Sequence, residues 1–101
     1  MLKINIQIPM IKIEEFCRKW KIREFSLFGS VLRDDFNADS NVDVLVTFDD
    51  NAGWSLEDRF NMKDELQEMF GREIDLVNKK GLTNPFRRHS ILTTKKVLYA
   101  A

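Results

Sequence analysis

Three short pieces of the sequence carry side chains that could act together: Gly29-Ser30, Asn41-Val42-Asp43 after ten intervening residues, and Asp75 within Glu73-Ile74-Asp75-Leu76-Val77. Positions 41 and 43 are two apart, so on a strand their side chains share a face, about 6.5 to 7 Å apart along it. Asp75 from a neighbouring strand can join them. Clustered carboxylates hold divalent cations: Mg²⁺ prefers oxygens in near-octahedral geometry, commonly one or two carboxylates with nucleotide phosphates and water. A cation held in this way bridges phosphates, neutralises charge on a leaving pyrophosphate and lowers the pKa of an attacking hydroxyl. A glycine at position 29 lets backbone N–H groups approach a phosphate, and the Ser30 hydroxyl can donate to the same oxygens. Taken singly, an acid at a strand end is usually solvated; the register of Gly29, Ser30, Asp43 and Asp75 together is what marks a site.

These residues need elements to hold them. Residues 12 to 20 place Ile13, Phe16, Cys17 and Trp20 at helical spacing, with Lys12, Glu15 and Lys19 on the other side, which predicts an amphipathic helix packed on a sheet. Residues 24 to 28 read as a short strand that Gly29-Ser30 breaks, followed by a helical turn through Val31-Leu32-Arg33 and a polar loop from Asp34 to Asn41. Residues 42 to 48 alternate Val42, Val44, Val46 and Phe48 with Asp43, Leu45 and Thr47, a central strand on which Asp43 faces away from the valines. Ser55 with Asp58 starts a helix over about residues 56 to 70, and Gly71 sits where a helix end favours a left-handed residue. Residues 73 to 77 form a third strand, Pro85 opens a short helix to about Leu92, and Val97-Leu98-Tyr99 is a final apolar piece. The order predicts an α/β (α+β) sandwich with a mixed sheet, helices on one face and polar groups on the other.

The chain has 101 residues, which is one domain spanning 1–101, with a core of sheet and helix and no room for a second. Lys plus Arg and Asp plus Glu are both 16, so the formal net charge is zero and no global field draws it to nucleic acid. Lys79, Lys80, Arg87, Arg88, Lys95 and Lys96 collect in the tail, yet apart from Phe86 no stacking aromatics interleave with them, which argues against direct nucleic-acid binding. The single cysteine, Cys17, belongs to the apolar helix series and reads as a half-buried thiol. His89 has no Cys or second His nearby and reads as a surface residue rather than a zinc ligand. Trp54, between Gly53 and Ser55, is a candidate for an exposed contact with a partner. No run approaches the roughly 18 apolar residues of a membrane span, and no leader pattern opens the chain, so the expectation is a soluble cytoplasmic protein with no membrane partner.

Leu27-Phe28-Gly29-Ser30-Val31-Leu32-Arg33, followed by Asp39-Ser40-Asn41-Val42-Asp43-Val44-Leu45-Val46, resembles the signature of minimal nucleotidyltransferases of the DNA polymerase β superfamily: Gly-Ser, ten residues, Asp-x-Asp. The likeness runs over about residues 12 to 99, with Glu73 to Val77 as the third-acid strand and Asn84-Pro85-Phe86 and Val97-Leu98-Tyr99 as the tail. It implies the polymerase β-like nucleotidyltransferase fold. It further implies that Gly29 and Ser30 bind a nucleoside triphosphate, that Asp43 binds Mg²⁺ or Mn²⁺, and that Asp75 helps to deprotonate the acceptor hydroxyl. Arg33 occupies the position of a frequent family arginine and touches phosphate or acceptor, or is a solvated loop charge. The departure is Asn41, which stands where the pattern has a carboxylate. Its amide oxygen can still join a metal, but without charge, and its NH₂ is a donor; Asn41 therefore keeps the catalytic and metal-ligand position with reduced affinity. It reflects either a lineage that lost turnover and kept the fold or a recent or deliberate neutralisation, the second being favoured by the intact Ser30, Asp43 and Asp75.

The resemblance also implies a role: the antitoxin of a bacterial or archaeal gene pair that transfers AMP from ATP to a tyrosine of a HEPN-type ribonuclease toxin. A second reading is a non-catalytic antitoxin that neutralises the toxin by covering it. A third, transfer to a small molecule, is met in relatives that carry an additional domain.

Overall fold

The computed structural model describes residues 6–101. Along the chain run α1 (Met10–Lys19), β1 (Ile22–Phe28), a 3-10 turn (Gly29–Leu32), β2 (Val42–Phe48), α2 (Leu56–Phe70), β3 (Ile74–Asn78), a second 3-10 turn (Lys79–Gly81), α3 (Pro85–Thr94) and β4 (Lys96–Ala100). The helices start and stop where short-range chemistry says they should. The Ser55 hydroxyl accepts from the Asp58 N–H while the Asp58 carboxylate accepts from Ser55, and Gly71 closes α2 at φ 66° in the left-handed region. Asn84 accepts from the Phe86 and Arg87 N–H groups ahead of α3, with Pro85 as its first residue.

The strands form one mixed sheet in the order β3-β2-β1-β4. β1 lies antiparallel to both β2 and β4, whereas β2 and β3 are parallel and α2 is the crossover between them. Alternation along β2 sorts its side chains. Val42, Val44 and Val46 join Phe25, Leu27 and Ile74 in a core that Ile13, Phe16 and Cys17 of α1 and Met62 and Leu66 of α2 complete. Each such side chain stabilises the fold by about 1.5 to 3 kcal/mol on burial, so this face carries most of the driving force.

The opposite face is where the structure departs from expectation. Leu45 and Phe28, with Leu82 and Ile91, form a second buried cluster, so α3 lies against the face that also bears Asp43. Helices therefore cover both faces, α1 and α2 on one and α3 on part of the other, because Leu45 and Phe28 are apolar residues at site-face positions and need a cover of their own. The terminal apolar piece is a full edge strand, Lys96–Ala100 paired with β1. Trp54 is half-buried: its ring meets that of Trp20 edge-on at 5.1 Å, and its Nε1 donates to the Trp20 carbonyl at 2.7 Å. Cys17 is fully rather than half buried, 1% exposed, and burial with Glu14 nearby pushes its thiol up to about 12. His89 is exposed, as expected. Among the described residues no helix is long and apolar enough to cross a membrane. The reading of the chain's start as free of a leader depends partly on residues 1–5, which lie outside the described residues.

Candidate active site

The site sits at one end of the two central strands. β1 runs into the Gly29–Leu32 turn at the point where Phe28 pairs with Asp43, and one strand further on Asp43 pairs with Asp75 in parallel register. Paired residues point to the same side of a sheet. Asp43 and Asp75 are thus side by side on the face away from the valines, and Asn41 stands just before β2 begins, two residues ahead of Asp43. Asn41 and Asp75 are exposed and Asp43 is half-buried.

Gly29 is held at φ 73°, a conformation that side-chain-bearing residues rarely adopt. A Cβ built there would lie 2.3 Å from Asp43 Oδ2, so the carboxylate occupies the space that only glycine leaves open. The Ser30 hydroxyl donates to the Asn41 carbonyl at 3.4 Å, a long bond that ties the turn to the entry of β2. The field at Asp43 is mixed. Burial raises its pKa above the ordinary 3.8, Asp75 raises it further, and Arg33, a hydrogen bond from the Ser30 backbone and Arg87 pull the other way. Asp43 and Asp75, held together against their mutual repulsion, present carboxylate oxygens, the donor type a hard divalent cation prefers. Among the described residues no group of three or more His, Cys, Asp or Glu side chains is arranged for a metal.

Arg33 is exposed, and its Nε donates to Asp35 Oδ1 at 3.2 Å; a pair so solvated contributes little to stability, while its charge still reaches Asp43. Beside the turn a cleft of about 460 Å³ opens toward α3, with Phe28, Leu32 and Ile91 as its apolar wall and Gly29, Arg33, Arg87, Ser90 and Thr94 as its polar one. That is the size of a small-ligand pocket. Arg87, Ser90 and Thr94 were not among the residues singled out by sequence for this site. Their spacing of three and four on a helix was the available signal, and only the placement of α3 on the site face gives it meaning. The basic tail is correspondingly dispersed: Arg87 turns to the cleft, Arg88 Nη1 donates to the Lys79 carbonyl at 3.3 Å, and Lys95 pairs with Glu24.

Comparison with known proteins gives a consistent result. The model of the nucleotidyltransferase domain family matches residues 10–98. The protein adenylyltransferase MntA of Thermococcus cleftensis is 33% identical over 69 residues, 68% of each chain. A solved toxin–antitoxin structure with AMP-PNP superposes with a TM-score of 0.74 at 21% identity, over 93% of this chain and 75% of that one. A tri-AMPylated Shewanella oneidensis HEPN toxin in complex with its MNT antitoxin matches with a TM-score of 0.66 at 21% identity, over 91% of this chain and 70% of the matched chain. At that identity the two structures establish the fold alone.

Proposed function

The chain belongs to the nucleotidyltransferase domain family, and from that premise we propose that it is the AMP-transferring antitoxin of a toxin–antitoxin pair, acting on a tyrosine hydroxyl of a HEPN-type toxin in the cytoplasm. The observation that carries the reading is the parallel register of Asp43 and Asp75 in front of the Gly29-Ser30 turn. The name of the Thermococcus relative and the modified toxin in the matched complex support the substrate class.

In this reaction the acceptor oxygen bonds to the α-phosphorus of ATP, the bond from that phosphorus to the bridging oxygen breaks, and pyrophosphate leaves with its electron pair. Asp43 and Asp75, with the Asn41 amide oxygen, would hold Mg²⁺ or Mn²⁺. When bound, that ion neutralises charge on the phosphates and makes the acceptor hydroxyl more acidic. Asp75, the more exposed of the two acids, faces the solvent side from which a protein acceptor must come and takes the hydroxyl proton. Gly29 and Ser30 offer backbone and hydroxyl donors to the triphosphate, and Arg33 and Arg87 supply positive charge on the cleft side.

Asn41 leaves this constellation one charge short, so turnover by the chain as it stands is expected to be weak. A second reading, an antitoxin that neutralises by covering its toxin, draws its support from that same residue. Intact-mass spectrometry of toxin co-expressed with the Asn41 form and with Asn41→Asp separates the two. Additions of about 329 Da per AMP, the mass set by nucleotidyl transfer, with the aspartate form support the enzyme. An unmodified toxin neutralised equally by both forms overturns it.

A further inference from the structure

The loop that joins Ser30 to Asn41 is held by a residue from another part of the chain. Arg72, just after α2 and just before β3, sends Nη1 to the carbonyls of Asn37 at 2.9 Å, Ser40 at 3.2 Å and Ala38 at 3.5 Å. Its guanidinium carbon lies 4.5 Å from the centroid of the Phe36 ring, so the same group is stacked on the loop as well as hydrogen-bonded to it. No ion pair between Arg72 and a carboxylate is seen among the described residues. The hydrogen bonds that Nη1 makes all go to backbone oxygens.

We propose that Arg72 is a positioning residue that sets the 34–41 loop, and through it the angle at which position 41 faces Asp43 and Asp75. The proposal rests on the nucleotide-site reading above and adds a residue that touches neither metal nor nucleotide. The physical case is one of reach and shape. The loop is polar, its internal bonds are short-range ones such as Asn37 N–H to Ser40 Oγ at 3.1 Å and Asp39 N–H to Asn37 Oδ1 at 2.9 Å, and these shape it without orienting it on the sheet. Phe36, packed against the core, and the Ser30 bond to the Asn41 carbonyl anchor the loop at two points, and Arg72 adds three bonds over residues 37 to 40 between them. Arg72 follows the Gly71 cap of α2 directly, and the Glu73 carbonyl beyond it accepts from the Val42 N–H at 3.0 Å, so the clamp sits between the end of α2 and the bond that ties the start of β3 to the start of β2. A planar guanidinium can donate to carbonyls and stack on a ring at once, which an ammonium cannot reproduce.

The test uses the Asn41→Asp chain as parent, with Arg72→Met, Arg72→Lys and Phe36→Leu built on it. Amide hydrogen exchange at 37–41, thermal unfolding and Mg²⁺-ATP affinity by calorimetry are read on each. Arg72→Met is expected to speed exchange at 37–41 while exchange in Val42–Phe48 stays as in the parent, and to weaken Mg²⁺-ATP by about tenfold or more, the usual effect of losing an outer support of a metal site. Arg72→Lys and Phe36→Leu are expected to fall between. Unchanged exchange in Arg72→Met overturns the clamp, and faster exchange with unchanged affinity overturns its positioning role. A parent that binds no Mg²⁺-ATP, with the loop still released by Arg72→Met, instead removes the nucleotide-site reading and the positioning role with it.

Discussion

Asp43 Oδ2 occupies the space beside Gly29 that a side chain would fill, 2.3 Å from where a Cβ would be. The turn and the acid therefore constrain each other: the acid can face the site only because the turn has no side chain, and the turn also needs the positive φ of 73° that glycine tolerates.

Gly29→Ala tests this directly. Backbone strain at a positive φ costs about 1 to 3 kcal/mol, and the displaced carboxylate adds to it, so the variant is expected to melt lower and to lose Mg²⁺-ATP binding. Thermal unfolding and calorimetry check both. An unchanged melting temperature would mean that the turn relaxes without cost and that Asp43 is not pinned there.

Asn41→Asp restores the missing carboxylate. Binding of Mg²⁺-ATP is expected to tighten and AMP transfer to appear or rise, since a bound metal supplies several kcal/mol to the transition state. Calorimetric titration of both forms, with nucleotide incorporation measured alongside, is decisive: equal binding and equal inactivity would defeat the metal-site account of position 41.

The raised pKa of Asp43 makes a prediction with a definite sign. Burial and then Asp75 make its ionised form costlier in the fold than in the unfolded chain, so the native state holds the proton more tightly. Stability on account of this group is therefore greatest below its ordinary 3.8 and declines as pH rises from there through the raised folded value. Asp43→Asn is expected to be more stable than the parent near neutral pH, with the difference vanishing in acid. Denaturant unfolding over a pH series measures it, and a difference that does not vary with pH would remove the burial-and-repulsion account. Asp75→Asn should lower the Asp43 pKa in an NMR titration, because it deletes one of the two causes that raise it.

In the Asn41→Asp background, Asp75→Asn, Ser30→Ala and Arg87→Ala should fail in different ways. Loss of the base is expected to abolish transfer with little change in ATP affinity, whereas loss of Ser30 or Arg87 should mainly weaken nucleotide binding, by about 1 to 3 kcal/mol if a charge-assisted contact is removed. Single-turnover rates and binding constants measured on each separate the two patterns. Full activity in Asp75→Asn would end its assignment as base, and undiminished ATP affinity in Arg87→Ala would take α3 out of the nucleotide site.

Much of this protein could be read along the chain, and the parts that could share a cause. The alternation Val42-Asp43-Val44-Leu45-Val46 by itself determined that Asp43 looks away from the valine core, because a strand's side chains alternate whatever it packs against. Ser55 with Asp58, Gly71, and Asn84 with Pro85 likewise determined the ends of α2 and the start of α3, since each of these acts over three or four residues. The tertiary structure alone decided that Asp75 stands level with Asp43, that Gly29 lies under its carboxylate, that Arg87 reaches the cleft and that Arg72 clamps the loop. None of these has a local signature. Register between β2 and β3 depends on how the α2 crossover seats Met62 and Leu66, and the position of Arg87 depends on Ile91 finding Leu45 and Phe28. Apolar periodicity says that a face must be covered, but the choice of cover is made by the packing of distant segments.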